Sequence, residues 1–73
     1  MDALVIPKVP GGVGVILEFK KVDEEREVEA ALTEALRQIA TNRYAVKLTE
    51  AEAGTVRGYA VVSWGKKVRI RAR

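Results

Sequence analysis

Three polar residues in the first part of this sequence carry the chemistry open to it: Asp2, and the pair Glu18 and Lys20 at the end of an apolar run. Glu18 and Lys20 stand two apart, so on a strand both project from the same face. An acidic residue on a preceding antiparallel strand comes within a few ångströms of Glu18. Two carboxylates so placed repel each other unless a divalent cation neutralises them. Such a cation lowers the pKa of a bound water and polarises a phosphate oxygen. A neighbouring lysine can orient that water or stabilise charge that develops on the phosphate. These are the parts of metal-dependent phosphodiester hydrolysis. The plainer reading of Glu18 and Lys20 is a set of cross-strand ion pairs on an exposed face, worth about 0–1 kcal/mol.

Composition narrows the chemistry from the other side. The chain has 73 residues with no cysteine and no histidine. That excludes a disulfide framework, thiolate zinc sites, and nucleophilic systems that depend on imidazole. A metal held here is a hard, oxygen-liking ion such as Mg²⁺ or Mn²⁺. At 48% apolar and 32% charged residues the composition is that of one small soluble domain with a modest core. The longest uncharged apolar stretch, Val9 to Leu17, is too short for a bilayer and is broken by Pro10, Gly11, Gly12 and Gly14, so no membrane span is expected. With no basic-then-apolar leader and no cysteine, the expected location is cytoplasmic.

The net charge of +3 is unevenly spread: residues 1–40 sum to −3 and residues 41–73 to +6. Arg57, Lys66, Lys67, Arg69, Arg71 and Arg73 concentrate the positive charge near the end of the sequence. A basic tail of this kind can approach a polyanion, because each neutralised phosphate releases counterions. It can equally be a solvated face that keeps a terminal strand from aggregating.

The elements that must position these residues follow from periodicity. Ala3 to Ile6 is a short strand closed by Pro7, Pro10 and Gly11-Gly12, and Val13 to Lys20 is a second strand, the two pairing as a hairpin. In the second strand Val13, Val15, Leu17 and Phe19 share one face, and Ile16, Glu18 and Lys20 the other. Val28, Leu32, Ala35, Leu36 and Ile39 then form the stripe of an amphipathic helix from about Glu24 to Ala40, with Asp23 as its cap. Tyr44, Leu48 and Ala51 suggest a short second helix ended by Gly54. Thr55 to Trp64 and Lys67 to Ala72 are strands joined by a Gly65-Lys66 turn, so the order is ββαββ.

The spacing of Asp2 from Glu18-Phe19-Lys20 resembles the PD-(D/E)xK, or restriction-endonuclease-like, nuclease superfamily. The likeness continues through Gly14-Val15-Ile16-Leu17, Ala35-Leu36-Arg37-Gln38-Ile39, Tyr44-Ala45, Gly58-Tyr59-Ala60 and Gly65-Lys66-Lys67-Val68. In this order the segments are similar to the C-terminal nuclease-like domain found behind AAA-ATPase-like proteins. The resemblance implies a single minimal nuclease-like domain over residues 1–73. Its implied fold is α/β, a small mixed four-stranded sheet with one main helix, as a trimmed restriction-endonuclease-like core. It further implies Asp2 and Glu18 as ligands of Mg²⁺ or Mn²⁺, the Phe19 carbonyl completing the protein side, and Lys20 as the catalytic lysine. Gln38 and Tyr44 fall where related enzymes contact substrate or support the site, and Lys66, Lys67, Arg69 and Arg71 are assigned to a DNA substrate. Two features depart from the family: Met1 rather than proline precedes Asp2, and the family's opening helix and further strand have no counterpart before it. The alternative function is a non-catalytic nucleic-acid-binding or protein-interaction module of the same descent. On plainer readings, Gln38 is a helix-surface residue and Tyr44 a core aromatic.

Self-association is the last expectation. Strands 13–20 and 55–64 carry apolar residues on both faces, which belong in sheets covered on both sides, yet one long helix covers only one. A homodimer that buries the second face is the simplest remedy.

Overall fold

The structure, a computed structural model, describes residues 2–5 (backbone only), 11–41 and 54–73. Its elements are β1 (Asp2–Val5), β2 (Val13–Lys21), α1 (Val28–Thr41), β3 (Thr55–Trp64) and β4 (Lys67–Ala72), with a single 3₁₀ turn at Glu25–Glu27 leading into α1. The segment suggested as a second helix, Tyr44 included, lies outside the described residues.

In hydrogen-bonding order the strands run β1-β2-β3-β4. β2 and β3 are parallel and joined through α1, whereas β1 pairs antiparallel to β2 and β4 antiparallel to β3. The expected α/β, four-stranded, restriction-endonuclease-like core is therefore corrected. The fold is α+β: a mixed sheet of three long strands, β2, β3 and β4, backed by one helix, with β1 a four-residue flank. An α/β sheet needs repeated crossovers with helices on both faces; among the described residues a single crossover covers a single face.

That face is set by register. Glu18, Ala60 and Arg71 lie side by side across β2, β3 and β4, and so do Lys20, Val62 and Arg69. α1 packs here: Val28, Leu32 and Ala35 from the helix and Ala60, Val62 and Trp64 from β3 form the core, flanked by Val22, Ala31 and Leu36. Ile16 and Ile39 are buried beside it. The helix therefore lies over the Ile16 face of β2, not the Val13-Val15-Leu17-Phe19 face. Small residues explain the choice. Gly14, Gly58 and Ala60 all lie on the covered face, and a Cβ at Gly58 would come within 3.0 Å of the Ile39 Cγ2 atom. Only a flat, small-residue surface lets a helix approach so closely. The opposite face keeps Val13, Val68 and Ile70 about half exposed, at 49%, 56% and 60%.

The helix start differs from expectation by one residue. Glu24, not Asp23, is the cap residue of the leading turn, with extended φ and ψ of −130° and 147°. Its backbone N–H donates to Glu27 Oε1 at 3.1 Å, the return half of a capping box. At the other end of the fold Gly65 takes φ +57°, the left-handed turn that lets β3 reverse into β4. No helix among the described residues is long and apolar enough to cross a membrane.

Candidate functional site

The register of β1 on β2 sets Asp2 directly across from Glu18. Glu18 is 4% exposed, between Ile16 on its own strand and Ala60 on the next, under the cover of α1. A carboxylate in such apolar company is costly as a bare anion. It is held by a cation, by hydrogen bonds or by a proton. Lys20, two residues on and on the same face, is half-buried.

α1 brings further polar groups to this end of the sheet. Glu34 receives the Arg37 Nε at 2.9 Å, and Gln38 Nε2 lies 3.4 Å from Glu34 Oε1. The Arg37 hydrogen bond holds the Glu34 carboxyl below its ordinary value; partial burial opposes this, and the charges of Arg37 and Lys20 lower it further. Gln38 is thus placed beside Glu34, within the field that Lys20 shares. Glu34 was not among the residues the sequence singles out. Its spacing of three and four from Arg37 and Gln38 was the available signal.

The basic residues of β4 divide into two groups. Arg71 grips Glu29 at the start of α1 through both guanidinium nitrogens, at 2.9 and 3.1 Å. Arg69 approaches the same carboxylate at 3.8 Å and lies over the Trp64 ring, 5.2 Å from its centre. These two arginines tie the edge strand to the helix. Lys66, in the turn, and Lys67 are exposed and make no ion pair among the described residues.

No group of three or more acidic side chains that could hold a metal ion occurs among the described residues. The register sets residue 2 opposite residue 18, both acidic in the sequence, with Phe19 next along β2. Carboxylate and carbonyl oxygen suit a hard divalent cation and no softer metal. No protein-family model, no curated protein and no solved structure is found to match this chain.

Proposed function

We propose that this chain is a nuclease domain of PD-(D/E)xK type that hydrolyses DNA phosphodiester bonds with Mg²⁺ or Mn²⁺. The observation that supports it best is the register: Asp2 stands opposite Glu18 on adjacent strands, with Lys20 two residues along the same face. Asp2 and Glu18, with the Phe19 carbonyl, would hold the cation. When bound, such an ion supplies an acidified water and polarises the phosphate. Lys20 orients the attacking water and stabilises the charge that develops on the phosphate oxygens. Glu34 on α1 feels the charge of Lys20, and Gln38 stands beside Glu34. Lys66 and Lys67, exposed and in no ion pair among the described residues, receive the DNA backbone. The absence of cysteine supports a reducing, cytoplasmic setting.

One observation favours the second reading, a non-catalytic nucleic-acid-binding or protein-interaction module. Glu18 is only 4% exposed beneath α1, which restricts the approach of a phosphate. The two readings separate in one experiment. Plasmid and single-stranded DNA are incubated with Mg²⁺ or Mn²⁺ and the wild type, Glu18→Gln or Lys20→Ala. Cleavage by the wild type that both substitutions abolish supports the nuclease. Intact DNA with salt-sensitive binding retained supports the module and overturns the nuclease.

A further inference from the structure

No described strand lies beyond β4, and all six of its residues are exposed. An edge strand carries one row of unpaired backbone groups, and the register tells which residues own them. The Arg73 N–H donates to the Gly58 carbonyl at 2.9 Å, so residues 73 and 58 form a hydrogen-bonded pair. In an antiparallel ladder such pairs alternate with pairs that share no hydrogen bond. Lys67, Arg69 and Arg71, in step with Arg73, therefore turn their N–H and C=O groups inward to β3. Val68, Ile70 and Ala72 turn theirs outward, to the free edge.

The side chains alternate along the same strand. Val68, Ile70 and Ala72 lie on the open face of the sheet, where Phe19, Val61 and Ile70 form one row across β2, β3 and β4. Lys67, Arg69 and Arg71, with Arg73 just after them, lie on the face that carries α1. Against these four cations the helix sets Glu29, which binds Arg71 and Arg69. Lys67 and Arg73 make no ion pair among the described residues. The edge thus combines outward backbone donors and acceptors, apolar side chains on one face, and a surplus of positive charge on the other.

We propose that β4 receives an extended peptide of alternating acidic and apolar residues as a further strand of the sheet. Main-chain hydrogen bonds to Val68, Ile70 and Ala72 hold such a strand, and its side chains are read by face. Its apolar residues stand opposite Val68, Ile70 and Ala72 and continue the row that Phe19 and Val61 begin. Its acidic residues stand opposite Lys67, Arg69, Arg71 and Arg73. Those are the non-hydrogen-bonded positions of the new ladder, where facing side chains come closest, so opposite charges gain most there. A second copy is the wrong occupant. Antiparallel pairing of two β4 strands about Ile70 would set Arg69 against the other copy's Arg71, and Lys67 against the other copy's Arg73. Like charges would then face each other directly. The cations that keep copies apart thereby select a partner of opposite sign. β3 separates this edge from the strand that carries Glu18, so the site holds whether or not the chain cleaves DNA.

The test reads the outward amides directly. Amide hydrogen exchange of the dilute, ¹⁵N-labelled chain is followed with a capped seven-residue peptide that alternates glutamate and valine, with glutamate at both ends. In the free chain Val68, Ile70 and Ala72 should exchange fast, while Arg69 and Arg71, bonded to β3, are protected. Millimolar peptide should slow exchange at Val68, Ile70 and Ala72 by at least about fivefold. A peptide with lysine in place of glutamate should give no protection. N-methylation of the peptide's valines, whose N–H groups face β4, should abolish binding, whereas N-methylation of its interior glutamates should not. Lys67→Gln/Arg73→Gln should weaken binding by about three- to tenfold while the inward amides stay protected. Ile70→Pro removes an outward N–H that β3 does not use and should abolish binding; the N-methylated peptides carry the test even if this variant unfolds. Four results overturn the proposal. They are no protection at millimolar peptide, equal protection by the lysine peptide, equal protection by the peptide with N-methylated valines, and equal protection by an eight-residue oligothymidylate. Outward amides that are protected in the free chain, and more so as its concentration rises, would identify a second copy on the edge and overturn it as well.

Discussion

Arg71 and Glu29 are joined by a two-pronged ion pair across 42 residues of chain, with Nη1 2.9 Å and Nη2 3.1 Å from the two carboxylate oxygens. This contact clips the edge strand β4 to the first turn of α1, and Arg69 adds a weaker arm to the same carboxylate. The Arg71 hydrogen bond holds the Glu29 carboxyl below its ordinary value of 4.5; loss of solvent opposes this, and the charges of Arg71 and then Arg69 lower it further. A carboxyl whose folded pKa is lowered gives stability that is fully present above its unfolded value and is lost as pH falls through the folded one. Glu29→Gln is therefore expected to melt below the wild type at pH 7, and the gap should close as pH drops below about 4.5. Both side chains are largely exposed, so added salt should also narrow the gap. A gap that is constant from pH 7 to pH 3, or no gap at pH 7, would show that the ionised Glu29 carboxylate adds no stability.

That pair also marks where sequence reading reaches its limit. The helix stripe Val28-Leu32-Ala35-Ile39 is legible because helical periodicity is a local property, and all four residues are buried. The pairing of β1 on β2 is legible for the same reason, since a short hairpin connection limits the register. Glu29 with Arg71 is not, because nothing in either segment encodes a partner 42 residues away. The covered face of β2 was not legible either. Four large apolar residues on one face outweigh Ile16 on the other in any count of hydrophobicity, but Gly14, Gly58 and Ala60 make the second face the one a helix can approach. The cap went to Glu24 because its partner three residues on is Glu27, whereas Asp23 has Arg26 at that position. Asp2 and Glu18 were legible as a pair of positions; the near-complete burial of Glu18 depends on where α1 lies and follows from the face it chose.

Two substitutions test that choice of face. Leu32 is fully buried in the centre of the core, against Ala60, Val62 and Trp64. Leu32→Ala should cost about 2–5 kcal/mol, a large part of the roughly 5–15 kcal/mol that holds a small domain together. Ile70 lies 60% exposed on the opposite face. Ile70→Ser should change stability by no more than about 0.5 kcal/mol in dilute solution. Urea denaturation of the two variants measures both. Equal losses would mean that the face carrying Ile70 is covered in the monomer.

The same open face underlies the last prediction, that two copies of this chain associate through it. Val13, Val15, Leu17 and Phe19 of β2, Tyr59 and Val61 of β3, and Val68 and Ile70 of β4 share this face, and no described element packs on it. No acidic side chain of the described strands β2, β3 and β4 lies on it, and its charges, Arg57 and Lys21, stand at opposite ends. The central region is thus an uninterrupted apolar surface whose natural complement is another of the same kind. Its size decides the strength of association. Residues 13 to 19 span roughly 20 Å of strand and three strands span roughly 15 Å with their side chains, so the flat area is about 300 Å². A standard interface buries about 800 Å² on each partner, so this dimer is weak and its population follows concentration. Sedimentation equilibrium from micromolar to millimolar protein should show the mass rise from 8.0 kDa toward twice that value. Ile70→Ser, which leaves the monomer's stability unaltered, should hold the mass at 8.0 kDa across the range. A wild type that stays monomeric at millimolar concentration rejects the dimer, and so does an Ile70→Ser variant that associates as readily as the wild type.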